Sequence, residues 1–302
     1  MNKELNEKSK IMLITGFLLK KEFLGGLCIF GSAFCLYLTT AAIRWAKDVV
    51  NLESTFFVFS RFLLGFVVVC CVFLIKRKKL RPQRFRLILG RSLNNIGAVY
   101  CFFKAVSLTS AAEANILNMT YPLFIAVFFF LFQKQRKDHV AYLLTVIAFF
   151  GIWLIISPSG FVLRIDNLWG LASGIFGAIA ITFLNYSRRY DDADTILFFM
   201  FGLGSLLIYL MFPDRIFVPT LLELKYLLFG AIFGVMGQYL LTIGFKYVTA
   251  VEGGIISSSR ILIAAILGPF IVSDPQLTFA GWIGALLIFG TNVYLAFRKI
   301  SF

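Results

Sequence analysis

The sequence has one histidine, few acids and no long hydrophilic stretch, and each shortage removes a class of protein. Only 15% of its residues are charged, against 60% hydrophobic, and the mean hydropathy is +0.88. A soluble domain carries about a quarter charged residues, because something must face water. A water-soluble fold is excluded. With His139 alone there is no His-containing triad, and no HExxH motif, glycine-rich phosphate loop or pair of carboxylates occurs. His139 itself reads as a surface residue at a helix start. The cysteines Cys28, Cys35, Cys70, Cys71 and Cys101 all lie in apolar runs without metal-ligand spacing, which makes them packing residues. No cofactor or metal is expected. Ahead of Lys21 the one apolar run, Ile11 to Leu19, is too short to span, and no small-residue cleavage site follows the next run. No removable signal peptide is expected.

What the chain does have is apolar runs of membrane-crossing length and 36 phenylalanines, some clustered as Phe128-Phe129-Phe130. A span needs about 20 predominantly apolar residues. Ten stretches qualify: 23–43, 54–75, 86–107, 111–133, 139–157, 168–188, 194–212, 221–246, 252–272 and 277–297. Basic clusters, Ser157-Pro158-Ser159-Gly160 and Phe212-Pro213-Asp214 separate them, and only weak polar kinks mark the breaks at Thr109-Ser110 and Thr249-Ala250.

The formal charge of +14 sits in short segments between these runs, so it reads as an orienting signal and not as a nucleic-acid surface. With the N-terminus in the cytoplasm, one side holds about twenty basic residues, including Lys76-Arg77-Lys78-Lys79, Arg81, Arg84, Arg86, Lys134, Arg136, Lys137, Arg188, Arg189, Lys246, Arg298 and Lys299. The other side holds Arg44, Lys47, Arg164, Arg215 and Lys225. That bias requires an even number of spans and places both termini inside.

A shift of about 139 residues lays Ala105–Val127 over Gly244–Ile266, with identities at Ala111/Ala250, Glu113/Glu252, Ile116/Ile255, Leu123/Leu262 and Ala126/Ala265. The same shift pairs Tyr100 with Tyr239 and Gly151 with Gly290, and one of about 144 pairs Gly26-Leu27 with Gly170-Leu171. Two halves of five spans follow. An odd number inserts the second half upside down, the arrangement by which many secondary transporters expose one midplane site to each side in turn. The expected fold is an all-α membrane protein of ten transmembrane helices in two inverted five-helix repeats.

The turn "LTSAAEANIL" followed by "YPLF", and its counterpart "VTAVEGGII", resemble the drug/metabolite transporter superfamily, specifically EamA-type transporters. The resemblance covers nearly the whole chain. It implies EamA-like repeats at 23–157 and 168–297, flanked by a cytoplasmic segment, 1–22, and a cytoplasmic tail, 298–302. It also implies a carrier of metabolites in a bacterial inner membrane: amino acids and their relatives, nucleotide-type compounds or drugs, with S-adenosylmethionine a candidate. The sequence departs where the second half would match the fourth span's Pro122, because Ile261 stands there, preceded by Arg260.

Polar groups at membrane depth are costly and need a reason. Arg260 follows Ser257-Ser258-Ser259 near mid-span, where it either faces a cavity and pairs with an anionic group or finds an internal partner. Arg61 reads equally as a structural or snorkelling residue and as a substrate contact. Lys104 and Glu113 stand across one turn and are placed to pair. Glu113 and Glu252, the only acids bordering the core spans, are candidates for proton coupling, although a carboxylate is favoured at a helix start in any case. Asn115, Asn118 and Tyr121 recur three apart and so share a helical face. With Tyr100, Gln238, Tyr239 and Ser257 they are the expected lining of a shared cavity; Asn94, Asn95, Asn185 and Tyr37 are weaker candidates. The expected partners are a small-molecule substrate and membrane lipid, with the chain a monomer or homodimer. A membrane-embedded lipid-modifying enzyme and a non-transporting scaffold are the competing readings. The enzyme would need reactive His, Asp or Cys residues near an interface, and the sequence offers few.

Overall fold

In the computed structural model the described residues are 2–47, 49–132, 139–156 and 164–297, and among these the side chains are described from 21 to 294 except at 126, 129–132, 139–142, 145, 156, 250 and 251. Among them the regular structure is entirely helical: α1 (Asn2–Lys47), α2 (Ser54–Ile75), α3 (Phe85–Leu108), α4 (Ala111–Asn118), α5 (Tyr121–Phe132), α6 (His139–Ile156), α7 (Asn167–Ser187), α8 (Ala193–Met211), α9 (Leu221–Gly244), α10 (Ala250–Ile271) and α11 (Phe279–Phe297), with one 3₁₀ turn at Pro213–Arg215. Lys134, Arg136, Lys137, Ser157–Gly160, Arg298 and Lys299 lie outside the described residues.

Two expectations change. The run Ile11–Leu19 belongs to α1, which starts at Asn2 and carries on into the first span. The predicted fourth span is two helices, broken at Met119-Thr120. Pro122 is the cause, because it has no N–H to donate to the Asn118 carbonyl and its ring crowds that carbonyl. At the matching place in the second half Ile261 donates normally, and α10 runs unbroken.

Among the described residues six stretches are long and apolar enough to cross a membrane: Lys21–Lys47, Ser54–Ile75, Asn167–Ser187, Ala193–Met211, Leu221–Gly244 and Glu252–Ile271. The polarity is inverted relative to a soluble protein. Phe23, Leu74, Phe270 and Phe279 point outward, while Arg61, Arg91, Asn115, Gln238, Arg260 and Asn292 are buried. Hydrocarbon solvates the first set and cannot hydrogen-bond the second, so the arrangement suits lipid as solvent.

The helices pack as exchanged pairs. α1 packs on α9 and α7 on α3; α1 on α10, and α7 on α4 and α5; α2 on α9 and α8 on α3. α2 packs on α8 and α6 on α11. Exchanging each helix with its counterpart in the other half reproduces this set, which is what a two-fold relation between halves requires. The α2–α8 contact lies on that axis. A Cβ on Gly65 would come 2.5 Å from the Phe201 ring, and one on Gly204 would come 2.6 Å from the Phe62 ring. Gly65 and Gly204, and Phe62 and Phe201, correspond under the 139-residue shift, so one contact is made twice.

Ion pairs show that α2 and α8 run in opposite directions. Just past the end of α2, Lys76 lies 3.3 Å from Asp194, and Lys78 lies 3.0 Å from Asp192 and 2.6 Å from Asp194, at the start of α8. At the far end Arg215, beyond α8, pairs with Glu53, before α2. Arg44 and Asp274 meet at that far end, 2.5 Å apart, and Asp274 Oδ2 accepts the Ala111 N–H at 2.6 Å, which fixes the start of α4. Burial pushes the Asp274 carboxyl up, and the Arg44 charge and the Ala111 N–H only partly offset it.

Asp192 also caps α8, accepting the Thr195 N–H at 2.7 Å. Burial alone would raise its carboxyl, but the Thr195 bonds and Lys78 outweigh it and hold it below the ordinary carboxylate range. A carboxyl depressed in the fold stabilises above its unfolded pKa, about 3.9, and that contribution is lost as pH falls through the folded value. The melting-temperature difference between wild type and Asp192→Asn should therefore be present at pH 7 and shrink as pH drops below about 4. Gly204→Ala should destabilise by about 1–3 kcal/mol through overpacking against Phe62, and Phe62→Leu in that background should recover part of the loss. Thermal unfolding of the four proteins in detergent measures both terms.

Candidate functional site

Where α2, α3 and α9 meet α1, the α4–α5 break, α7 and α10, the bundle encloses a cavity of about 80 Å³. Its polar lining includes Arg61, Arg91, Asn95, Asn118, Tyr121, Gln238, Ser257 and Arg260, with Phe102, Val99, Ile181 and Leu241 as apolar wall. Both halves contribute. Ala33 of α1 and Gly177 of α7, related by the 144-residue shift, are the small residues that leave the space open.

The break at Met119-Thr120 builds one wall. Asn118, the last residue of α4, has its side chain held at both ends. Its Nδ2 donates to Ser173 Oγ on α7 at 2.9 Å, and its Oδ1 accepts from Arg260 Nη2 on α10. The amide therefore joins the two halves and aims the guanidinium. Thr120 Oγ1 bonds the Leu117 carbonyl at 2.6 Å, and Asn292 Nδ2 bonds the Met119 carbonyl at 3.1 Å and Ser258 Oγ at 2.9 Å, so the broken backbone is satisfied away from lipid. Gly174 lets α7 reach the break, since a Cβ there would stand 2.4 Å from Thr120 Oγ1.

Arg260 and Tyr121 hold equivalent positions in the two halves and both line the cavity. The Arg260 guanidinium lies 5.1 Å from the Phe102 ring centre. Arg61 is placed in the same way: Nη2 donates to Gln238 Oε1 at 3.1 Å, and its guanidinium lies 5.7 Å from the Phe103 ring. Gly234 admits it, since a Cβ there would stand 2.8 Å from Arg61 Cδ. Arg91 completes the set. Only 1% exposed, it leaves Nε and Nη2 without an acceptor, and Nε of Arg61 and of Arg260 is likewise unpartnered. An arginine at membrane depth costs roughly 2.5–3.5 kcal/mol on insertion scales, so three around one small space is a large combined cost.

Of the residues expected from sequence, Arg260, Asn118, Tyr121, Gln238 and Ser257 come together here, and Arg61 joins them. Asn115 does not. One turn nearer the start of α4, Asn115 turns Nδ2 to the Ala111 carbonyl at 2.7 Å and Thr40 Oγ1 at 3.4 Å. Tyr100 stacks on Phe212, ring centres 5.3 Å apart, near the far end. Tyr239 packs in the apolar cluster that α2, α8 and α9 share.

The two glutamates are engaged at helix starts. Glu113 pairs with Arg164 at 3.2 Å instead of with Lys104, and its N–H is capped by Ser110. Glu252 closes a capping box with Thr249. Asn94 bonds the carbonyl of Gly90 and Asn185 that of Val248, and Tyr37 is buried elsewhere. Arg91, Asn95 and Ser32 are the lining residues that sequence reasoning did not name as sites or rated only weakly. A lone arginine a turn and a half into α3, with Asn95 on the next turn, was the available signal.

The pattern of the EamA-like transporter family matches residues 23–157 and 164–296. The pseudopaline exporter CntI of Pseudomonas aeruginosa is 26% identical over 223 residues, covering 72% of this chain and 77% of that protein. An uncharacterized transporter of Helicobacter pylori is 27% identical over 231 residues, covering 73% and 75%. One of Archaeoglobus fulgidus is 26% identical over 253 residues, covering 80% and 86%. A solved crystal structure shares the fold, with a TM-score of 0.62 at 19% identity over 92% of this chain and 99% of that one. Both halves carry the family's pattern, and the chain belongs to the EamA-like transporter family.

Proposed function

We propose that the chain is a secondary transporter that moves a small polar metabolite bearing an anionic group across a bacterial inner membrane by alternating access between its inverted halves. The observation that carries this reading is the Arg260 guanidinium, buried in a cavity between the halves and oriented by Asn118. A planar fork with unused N–H groups recognises carboxylate or phosphate oxygens bidentately. Asn118 and Gln238 would set the geometry of Arg260 and Arg61, and Tyr121 and Ser257 would complete the polar wall. The transporter relatives support carriage over enzymatic chemistry. The basic bias of the Lys76–Arg86 end supports a cytoplasmic position for that end and for both termini. Glu113 and Glu252, engaged in caps and an ion pair, are not given the coupling role in this reading.

Purified protein in proteoliposomes should show saturable flux of its substrate. Arg260→Ala should raise the half-saturation concentration by at least about ten-fold, the loss of one charge-assisted hydrogen bond. Arg260→Lys should be only partly restored, because an ammonium cannot reproduce the fork. Non-saturable flux, or an Arg260→Ala protein with unchanged half-saturation, overturns the anchoring role. Glu252→Gln should transport at near the wild-type rate, and a carrier that loses uphill transport on that change would restore proton coupling to Glu252.

A further inference from the structure

The cavity's charge balance goes beyond one anchoring arginine. Arg61, Arg91 and Arg260 come from α2, α3 and α10, are 3%, 1% and 3% exposed, and all line the same space. Among the described residues no aspartate or glutamate lines it. The acids of α2 to α11 sit in first turns or between helices, as Glu113, Asp194, Glu223 and Glu252 do. The hydrogen-bond partners the cavity supplies to its arginines, Gln238 Oε1 and Asn118 Oδ1, are neutral amides that orient a guanidinium without cancelling its charge. N–H groups on all three forks remain unpaired. An uncompensated buried charge is the arrangement proteins avoid unless something else neutralises it.

We infer that the cavity is a three-arginine cage for a compact solute carrying at least two oxyanion groups, carboxylate or phosphate, held by Arg61, Arg91 and Arg260 together. This deepens the proposed function and rests on it for the identity of the bound solute as cargo. A monoanion would leave two guanidinium charges uncompensated. A zwitterion would bring an ammonium into a space that offers it only hydroxyl and amide oxygens and three like charges. The same argument disfavours S-adenosylmethionine, whose sulfonium and ammonium outnumber its single carboxylate. Arg61 and Arg91 thus become specificity-determining residues, with Arg91 the member that has no protein acceptor for Nε or Nη2.

The test uses the full-length protein in nanodiscs of zwitterionic lipid, with thermal unfolding followed at fixed ionic strength. The probes are citrate, pyrophosphate, butyrate and S-adenosylmethionine. Citrate or pyrophosphate should raise the melting temperature saturably, as a ligand of the folded form alone must, and which of them does so separates carboxylate from phosphate. Butyrate and S-adenosylmethionine should not. Arg61→Gln and Arg91→Gln should each weaken the polyanion response by about ten-fold or more. Each should also melt, without ligand, at or above the wild-type temperature, because one of three like buried charges is gone. A merely structural arginine would lower it. Arg91→Lys, which keeps the charge, should retain a weakened response and checks that Gln variants fail through charge.

The inference is overturned if butyrate or S-adenosylmethionine stabilises as strongly as the polyanions, if neither polyanion stabilises, or if Arg91→Gln responds as wild type does. Polyanion binding without saturable flux of the bound polyanion in proteoliposomes would sink the transport reading and leave the cage. Saturable flux of a neutral or cationic solute, unchanged in Arg61→Gln and Arg91→Gln, would do the reverse.

Discussion

Hydrocarbon accepts no hydrogen bond, so the backbone groups that a broken helix frees inside the membrane must find partners within the bundle. That constraint organises the interior. Where Pro122 breaks the fourth span, the carbonyls of Leu117 and Met119 are taken up by Thr120 and by Asn292 from α11. Asn118, at the same break, spends both ends of its amide, one on Ser173 of α7 and one on Arg260 of α10. The break could not persist on a lipid-facing surface. It survives because it lies between the two halves, and by lying there it supplies the group that aims Arg260.

The two-fold relation between halves is obeyed in the packing and abandoned at the site. Phe62 against Gly204 and Phe201 against Gly65 repeat one contact about the axis, and Ser110-Glu113 and Thr249-Glu252 repeat one way of starting a helix. These features serve stability, and stability asks the same of both halves. The cavity asks something different. Tyr121 and Pro122 of the first half correspond to Arg260 and Ile261 of the second, so one half gives a broken helix with an amide and the other an intact helix with a cation. A symmetric pair of arginines would repel; the asymmetric pair lets Asn118 orient its opposite number.

What the sequence made legible follows from the range over which each signal acts. Apolar runs report on lipid directly, and most helices begin and end within a few residues of the predicted spans, the exceptions being the early start of α1 and the break of the fourth span into α4 and α5. The 139-residue shift read from weak identities reappears as the exchanged packing of α1 on α9 and α7 on α3. Arg260 was legible because a cation in the middle of a span has no cheap explanation. Asn115 lies outside the lining because a shared helical face fixes direction but not depth, and one turn from Asn118 its amide bonds the Ala111 carbonyl and Thr40. Tyr100 and Tyr239 misled because polarity marks a residue as inward-facing without saying whether it meets the cavity or an aromatic neighbour such as Phe212. Arg91 was overlooked because it follows the basic cluster Arg81, Arg84 and Arg86 and reads as its last member. Three-dimensional packing, in which α3 is gripped by α7 and α8, is what carries that residue out of the interface and into the core.

That displacement of Arg91 also explains why α3, at 24 residues, is long enough to span but falls outside the six clearly apolar helices. Its lower hydropathy comes from polar side chains, Arg91 and Asn95 among them, that are buried in the bundle. α3 avoids exposing Arg91 and Asn95 by facing them inward, where the α2 and α10 arginines already stand. Two of these charges are held across helices, Arg61 to α9 through Gln238 and Arg260 to α4 through Asn118. In the proposed reading, positive groups buried and oriented in this way would meet an entering anion with little further reorganisation. Asn118 therefore both joins the two halves and orients the cation at their meeting point.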